Sequence, residues 1–215
     1  MVNSCQNYIS ATCGVSCADI FKLIMRAELF HAETALLTAR AVVRRFREGE
    51  GTTLHELVDN NRLYLSDHFP EASEVMPDKE EAERYVRRKI AAWLLQQEYC
   101  FGIWDNRSAQ LIGFIRLANI DWSLPRAELT FFLDQNCKGK GMMTEALLTV
   151  VRFAFSQLFI EKLSIRTSME NYDMQRLVRK CGFRREGDLR AELRKTSGEF
   201  IDVMLFGLTR AEFGV

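Results

Sequence analysis

From residue 36 onward the apolar positions change period several times, and each change marks an element. Residues 36–46, LLTARAVVRRF, are β-branched and alternating and predict a first strand. Thr53 and Glu56 stand at capping-box spacing ahead of Leu57 and Val58, which predicts a short helix to about Arg62 and then a loop over 66–77. Asp78 and Glu81 repeat that spacing. Ala82, Tyr85, Val86, Ile90 and Trp93 share one stripe behind them, as in a helix ending near Gln97.

Three strand-like runs follow, 99–105, 109–120 and 126–134, the first two joined by the turn Asn106-Arg107-Ser108, and together they predict an antiparallel meander. Gly139 and Gly141 then open a helix whose inward positions are Met143, Leu147, Val150, Val151, Ala154 and Leu158. Residues 162–167 predict a strand, 171–181 a helix closed by Gly182, and 189–208 a hairpin turning at Thr196-Ser197-Gly198. No internal repeat or linker interrupts this order. Residues 25–215 are expected to form one mixed α/β (α+β) domain, preceded by an N-terminal extension, 1–24, that shows no apolar period.

Composition narrows the function. With 47% hydrophobic and 27% charged residues and only 3 Pro, the chain is neither disordered nor fibrous. Lys+Arg 29 cancels Asp+Glu 29, so no net field favours nucleic acid or an anionic membrane as partner. The apolar stretch 142–151 contains Glu145 and stops at Arg152, well short of the ~20 residues that span a bilayer. The first 24 residues lack a basic segment followed by an unbroken apolar one, so a cytoplasmic location is expected. The 6 cysteines are irregularly spaced with no C-x-x-C pair, unlike a disulfide framework or a zinc site, and no metal is expected. The cluster Arg87-Arg88-Lys89 reads as a solvated helix face.

One segment carries chemistry. Residues 131–146, FFLDQNCKGKGMMTEA, run strand, glycine loop, helix, which directs backbone N–H groups and the positive end of a helix dipole at one anion. The bland alternative is a tight turn into a core helix. A P-loop would need Gly at 134 and Ser or Thr at 141, where the chain has Asp134 and Gly141; a dinucleotide fingerprint would need Gly at 144, where it has Thr144.

The loop NCKGKGMMTEAL is followed by Glu170-Asn171, by Lys180-Cys181-Gly182-Phe183 and Glu186-Gly187, and by a hairpin ending Asp202-Val203-Met204. In this combination the chain resembles the GCN5-related N-acetyltransferases (GNAT), and most of all the Rim type that acetylates ribosomal-protein N-termini. The resemblance covers residues 36–213 and implies a single domain with a mixed, twisted sheet flanked by helices. It implies that Asn136, Cys137, Lys138, Gly139, Lys140 and Gly141 cradle the pyrophosphate of acetyl-CoA, with Met142, Met143 and Thr144 opening the helix behind. It further implies that residues 129–133 splay from the neighbouring strand to admit the pantetheine arm, that Asn171 helps hold that arm, and that a main-chain N–H near Phe132 or Leu133 holds the oxyanion. The chain departs from the family at Asn136, where Gln or Arg is usual, at Met174, where many Rim-type enzymes carry Ser, and at Val178, where other relatives carry a tyrosine acid.

The acceptor implied is a primary amine: a protein N-terminus, or a small molecule such as a polyamine or aminoglycoside. A silent acetyl-CoA-binding module is the reading from another class. Glu128, in the strand leading to the loop, is the candidate base, with a structural ion pair as its alternative role. His55 and His68 read as surface or packing histidines despite lying in segments that cover the acceptor site in this family, and Cys137 lacks a partner base for covalent catalysis. Trp104 and Asp202 read as structural, and Trp122 as either pocket-lining or exposed. Dimers are common in the family, so a homodimer is an expectation.

Overall fold

The computed structural model describes residues 34–68, 76–195 and 197–215. The expectations for the extension 1–24, for Cys5, Cys13 and Cys17, for most of the loop 66–77 and for Thr196 lie outside them; of His68 only the backbone is described. The described residues fall in one compact unit, Thr34–Val215.

Residues 36–46 form two strands rather than one, β1 (Ala35–Leu37) and β2 (Ala41–Arg45). Thr38 folds the chain between them, its Oγ1 donating to the Ala41 carbonyl and accepting the Ala41 N–H, both at 2.9 Å. A threonine turn inside an alternating run leaves the period intact, so the sequence pattern hides it. Helix α1 (Gly51–Asn60) starts before the Thr53 cap that the sequence suggests. Its N-terminus is capped from outside: Glu83 accepts the N–H groups of Gly49 and Gly51, each at 2.9 Å. A Cβ on Gly51 would lie 2.3 Å from the Glu83 Cα, so only glycine permits this approach. Helix α2 (Arg62–His68) then occupies the start of the expected loop.

Helix α3 (Lys79–Leu94) begins as predicted, with the Asp78 carboxylate accepting the Glu81 N–H at 2.8 Å. It ends a turn early because Gln96 turns left-handed, φ 57°. The meander follows as β3 (Tyr99–Asp105), β4 (Leu111–Asp121) and β5 (Arg126–Leu133). Helix α4 (Met142–Ser156) buries all of its predicted inward positions, Leu158 just beyond it included. Then come β6 (Lys162–Ser168), α5 (Tyr172–Lys180), β7 (Arg184–Arg194), β8 (Phe200–Thr209) and the single turn α6 (Arg210–Phe213). Strand β7 starts earlier than the expected 189 because its charged first residues pair with β8, Arg184 opposite Gly207.

Among the described residues the eight strands form one sheet in the order β1-β2-β3-β4-β5-β6-β8-β7. Every neighbouring pair is antiparallel except β5 and β6. One face carries a core of Phe46, Leu54, Val58, Val86, Phe114 and Phe132 beneath α1 to α3. Phe153 of α4 packs edge-on to Tyr99 and Phe101.

Candidate active site

The parallel pairing of β5 and β6 has three rungs, Arg126 to Lys162, Ala127 to Leu163 and Glu128 to Ser164, and there it stops. Both strands continue, β5 to Leu133 and β6 to Ser168, each still paired on its outer side. The inner edge of residues 129–133 therefore faces a gap. Backbone N–H and C=O groups on such an edge must pair with water or with a ligand.

The chain then enters the glycine loop. Asp134 accepts the backbone and side-chain N–H groups of Asn136 at 2.9 and 3.1 Å and winds a short 3₁₀ turn, Gln135–Cys137. Gly139 and Gly141 are left-handed, φ 76° and 75°, a conformation that strains other residues, and Gly141 is the N-cap of α4. A glycine cap brings no side-chain oxygen, so the first N–H groups of a fifteen-residue helix stay directed at the cleft.

Two side chains far away in sequence fix this loop, and sequence reading missed both. Asn61, buried between α1 and α2, accepts the Gln135 N–H at 3.0 Å. Arg40, in the β1–β2 turn, donates to the Lys140 carbonyl and grips Glu145 of α4, 2.7 Å from Nη2 to Oε1. Such tethers follow from tertiary placement and leave no local pattern.

Gap and loop open into a cleft of about 330 Å³. Of the expected cofactor residues, Phe132, Leu133, Cys137, Lys138, Gly139, Gly141, Met142, Met143 and Thr144 line it. Asn136, Lys140 and Asn171 do not. The Lys140 ammonium turns back to the Asn136 carbonyl at 3.2 Å, and Asn171 caps α5 by accepting the Met174 N–H at 3.1 Å. The far wall comes from α5, with Asp173, Met174, Arg176, Leu177 and Lys180. Tyr64 of α2 also lines the cleft, with the Lys138 ammonium 3.6 Å from its ring centre.

Burial sets the electrostatics. It holds the Lys138 ammonium below the ordinary lysine pKa, with Asp173 partly opposing, and raises the Tyr64 hydroxyl despite Asn171. The Cys137 thiol is pushed up by burial and then by Asp134, the reverse of what a nucleophilic cysteine needs. Cys100 and Cys181, both buried, are pushed up to about 12 and about 11.

Glu128 lies outside the lining, on the last rung before the strands part. Its carboxylate accepts from the Asn119 amide at 3.0 Å and pairs with Arg166 at 3.2 Å. Asn119 reaches it from a bulge in β4, where its own φ is 52°. The Trp122 indole donates to the Gln96 carbonyl at 3.2 Å, and Asp202 accepts the Ala191 N–H at 2.8 Å. Trp104 packs under the Arg44 guanidinium, 4.0 Å from ring centre, and His55 Nδ1 is buried with no partner among the described residues. Among those residues no cluster of His, Cys, Asp and Glu could hold a metal, and no helix is long and apolar enough to cross a membrane.

A sequence profile described as the acetyltransferase (GNAT) domain matches residues 40–184, more than half of the chain. The chain belongs to the GNAT acetyltransferase family. This GNAT chain is 35% identical over 99 residues to the "probable N-acetyltransferase YjcK" of Bacillus subtilis, a stretch covering 46% of this chain and 55% of that protein, so the match spans about half of that relative's length. It is 24% identical over 181 residues to the ribosomal protein uS5-alanine N-acetyltransferase of Escherichia coli, covering 83% of this chain and 92% of the other. The crystal structure of the ribosomal-protein-S5-alanine acetyltransferase of Vibrio fischeri shares the fold, with TM-score 0.78 and 17% identity over 85% of this chain and 100% of that one. The split β5–β6 pair and the glycine-capped helix thus stand within a GNAT fold.

Proposed function

We propose that this protein transfers the acetyl group of acetyl-CoA to a primary amine, and that its acceptor is the N-terminal α-amine of a protein. The observation that carries the reading is the parting of β5 and β6 at Glu128 and Ser164, which opens a strand edge leading into a helix N-terminus that no side chain caps. The residues fit the donor. A pyrophosphate finds the α4 N–H groups and Lys138, and an extended arm carrying amides finds the inner edge of residues 129–133.

The neutral amine attacks the thioester carbonyl carbon, the carbon–sulfur bond breaks, sulfur keeps the electron pair, and the amine loses a proton. Glu128 takes that proton through water from its place at the apex of the gap. Met174 and Val178, both buried, present no acid to the leaving thiolate. With a free-thiol pKa of ~8.5 the thiolate leaves without one and takes its proton from solvent. An α-amine suits a site with one base and no acid. At pH 7 such an amine, pKa ~7.8, is roughly 10% neutral, whereas a lysine amine, pKa ~10.4, is neutral in about one part in 2,500. The ribosomal-protein acetyltransferases among the relatives support the same class of acceptor.

Thiol release from acetyl-CoA should be followed with N-terminal peptides, lysine peptides, polyamines and aminoglycosides as acceptors, beside calorimetry of acetyl-CoA binding. Turnover with N-terminal peptides is expected. Turnover confined to polyamines or aminoglycosides moves the acceptor to that class, binding without turnover on any acceptor favours a silent module, and no binding overturns the proposal.

A further inference from the structure

Coenzyme A carries two anionic groups, a pyrophosphate and a 3′-phosphate on its ribose. The N-terminus of α4 and Lys138 serve the first. The second bears between one and two negative charges near neutral pH, as phosphomonoesters do, and a ribose separates it from the first. It needs a cationic partner of its own within the same cleft.

The wall opposite the loop supplies one. Arg176 and Lys180 stand four residues apart on α5, on the face that lines the cleft with Leu177. Among the described residues neither makes an ion pair, whereas Arg40, Arg44, Arg84, Arg87, Arg166 and Arg185 each do. Two like charges at this spacing repel within a helix, and among the described residues no acid lies within ion-pair distance of either. Asp173, a turn earlier on the same wall, is placed for Arg176 but acts on Lys138 and Tyr64 instead, at the loop end of the cleft. The far end is thus left with two unpaired cations, one of them a guanidinium able to fork onto phosphate oxygens.

We infer that Arg176 and Lys180 form a subsite for the 3′-phosphate of the acyl donor, so that this protein distinguishes coenzyme A from its 3′-dephospho form. The inference rests on the reading of the cleft as the acetyl-CoA site. Neither cation belongs to the glycine loop, and their solvent-facing helix positions make their replacement harmless to the core.

Calorimetry of the full chain with coenzyme A and with 3′-dephospho-coenzyme A tests it, on the native protein, on R176Q, on K180Q and on the double variant. The native protein should bind coenzyme A at least about tenfold more tightly, a preference that shrinks as salt is raised. The double variant should bind the two ligands within about threefold of each other and keep the native affinity for the dephospho form, with each single variant between. Equal native affinities overturn the subsite and leave the cofactor reading intact. So does a double variant that keeps the tenfold preference or weakens both ligands alike. A native protein that binds neither ligand overturns the cofactor reading itself.

Discussion

Glu128 and Arg166 meet at 3.2 Å just past the final rung, Glu128 to Ser164, of the only parallel pairing among the described strands, where the sheet opens. Arg166 also reaches Glu192 of β7 at 2.6 Å, so the Glu128 carboxylate is held by Asn119 on one side and by a guanidinium shared with another acid on the other. A carboxylate so held is oriented, and in the proposed reaction it is the base, beside the open edge of residues 129–133. Glu128→Gln keeps the shape and the Asn119 contact and removes the proton acceptor. With an N-terminal peptide, kcat should fall by about 10²-fold while the affinity for acetyl-CoA stays within about twofold. The residual rate should climb with pH as the amine itself loses its proton. Unchanged kcat at neutral pH would leave Glu128 as a structural ion pair only.

Arg40 grips the glycine loop from the turn between β1 and β2. Its own ion pair with Glu145 is half-exposed and contributes only about 0–1 kcal/mol to stability, so Arg40→Ala should hardly move thermal unfolding. It should raise the KM for acetyl-CoA about five- to tenfold, because the Lys140 carbonyl and the start of α4 lose their anchor, with kcat at saturation nearly unchanged. Arg40→Lys should recover part of that loss. Steady-state kinetics beside a melting curve separates the two effects.

The two loop glycines should respond differently to alanine. Both are left-handed, which costs about 1–2 kcal/mol with a Cβ. A Cβ on Gly139 meets open space, whereas one on Gly141 would lie 3.1 Å from Arg40 Nη2. Gly139→Ala should therefore lower the melting temperature by a few degrees, about 2–4 °C per kcal/mol for a chain of this size. Gly141→Ala should do the same and also reproduce the KM defect of the Arg40 variant, since it pushes on the same guanidinium. Combining Gly141→Ala with Arg40→Ala should add little to either KM effect.

These contacts mark how far the sequence could be read. The α4 face was legible because Met143, Leu147, Val150 and Ala154 keep a 3.6-residue period over a long helix, and the meander because its runs are apolar and bounded by turn residues. The loop was legible because two glycines two residues apart ahead of an apolar helix mark left-handed turns, which strain most other residues. Thr38 escaped because a two-strand hairpin and a single strand share one alternation, and the start of α1 because its cap, Glu83, comes from another helix. Arg40, Asn61, Tyr64, Arg176 and Lys180 carry no motif; what assigns them to the site is the closeness of elements far apart in the chain.

A cluster of charge beneath α3 makes a stability prediction. Glu98 lies 2.7 Å from Lys89 and 3.0 Å from Arg116, with all three side chains largely covered. Glu98→Gln would remove the acid that the partly buried Lys89 and Arg116 share. Fully buried pairs lose 3–5 kcal/mol when broken, and the residual solvent here reduces that to about 2 kcal/mol. The expected drop in melting temperature is roughly 4–8 °C, with affinity for acetyl-CoA unaffected.

With Lys138 in its proposed place at the pyrophosphate, cofactor binding is expected to depend on pH. The Lys138 ammonium is held below the ordinary lysine pKa of ~10.4 chiefly by burial, so in the empty cleft it sheds its proton at a lower pH than a surface lysine does. The sign follows from the ligand. A pyrophosphate favours the charged form, so bound cofactor raises the Lys138 pKa, and affinity is full below the empty-cleft pKa and falls as pH rises through it. Above that point binding must take up a proton. Calorimetry of coenzyme A in buffers of different ionisation enthalpy should show proton uptake growing from neutral pH toward alkaline pH, together with weakening affinity. In Lys138→Gln the affinity should be lower at pH 7, and its alkaline decline should begin only where ordinary lysines titrate. An unchanged pH profile in that variant would assign the effect to another group on the cleft.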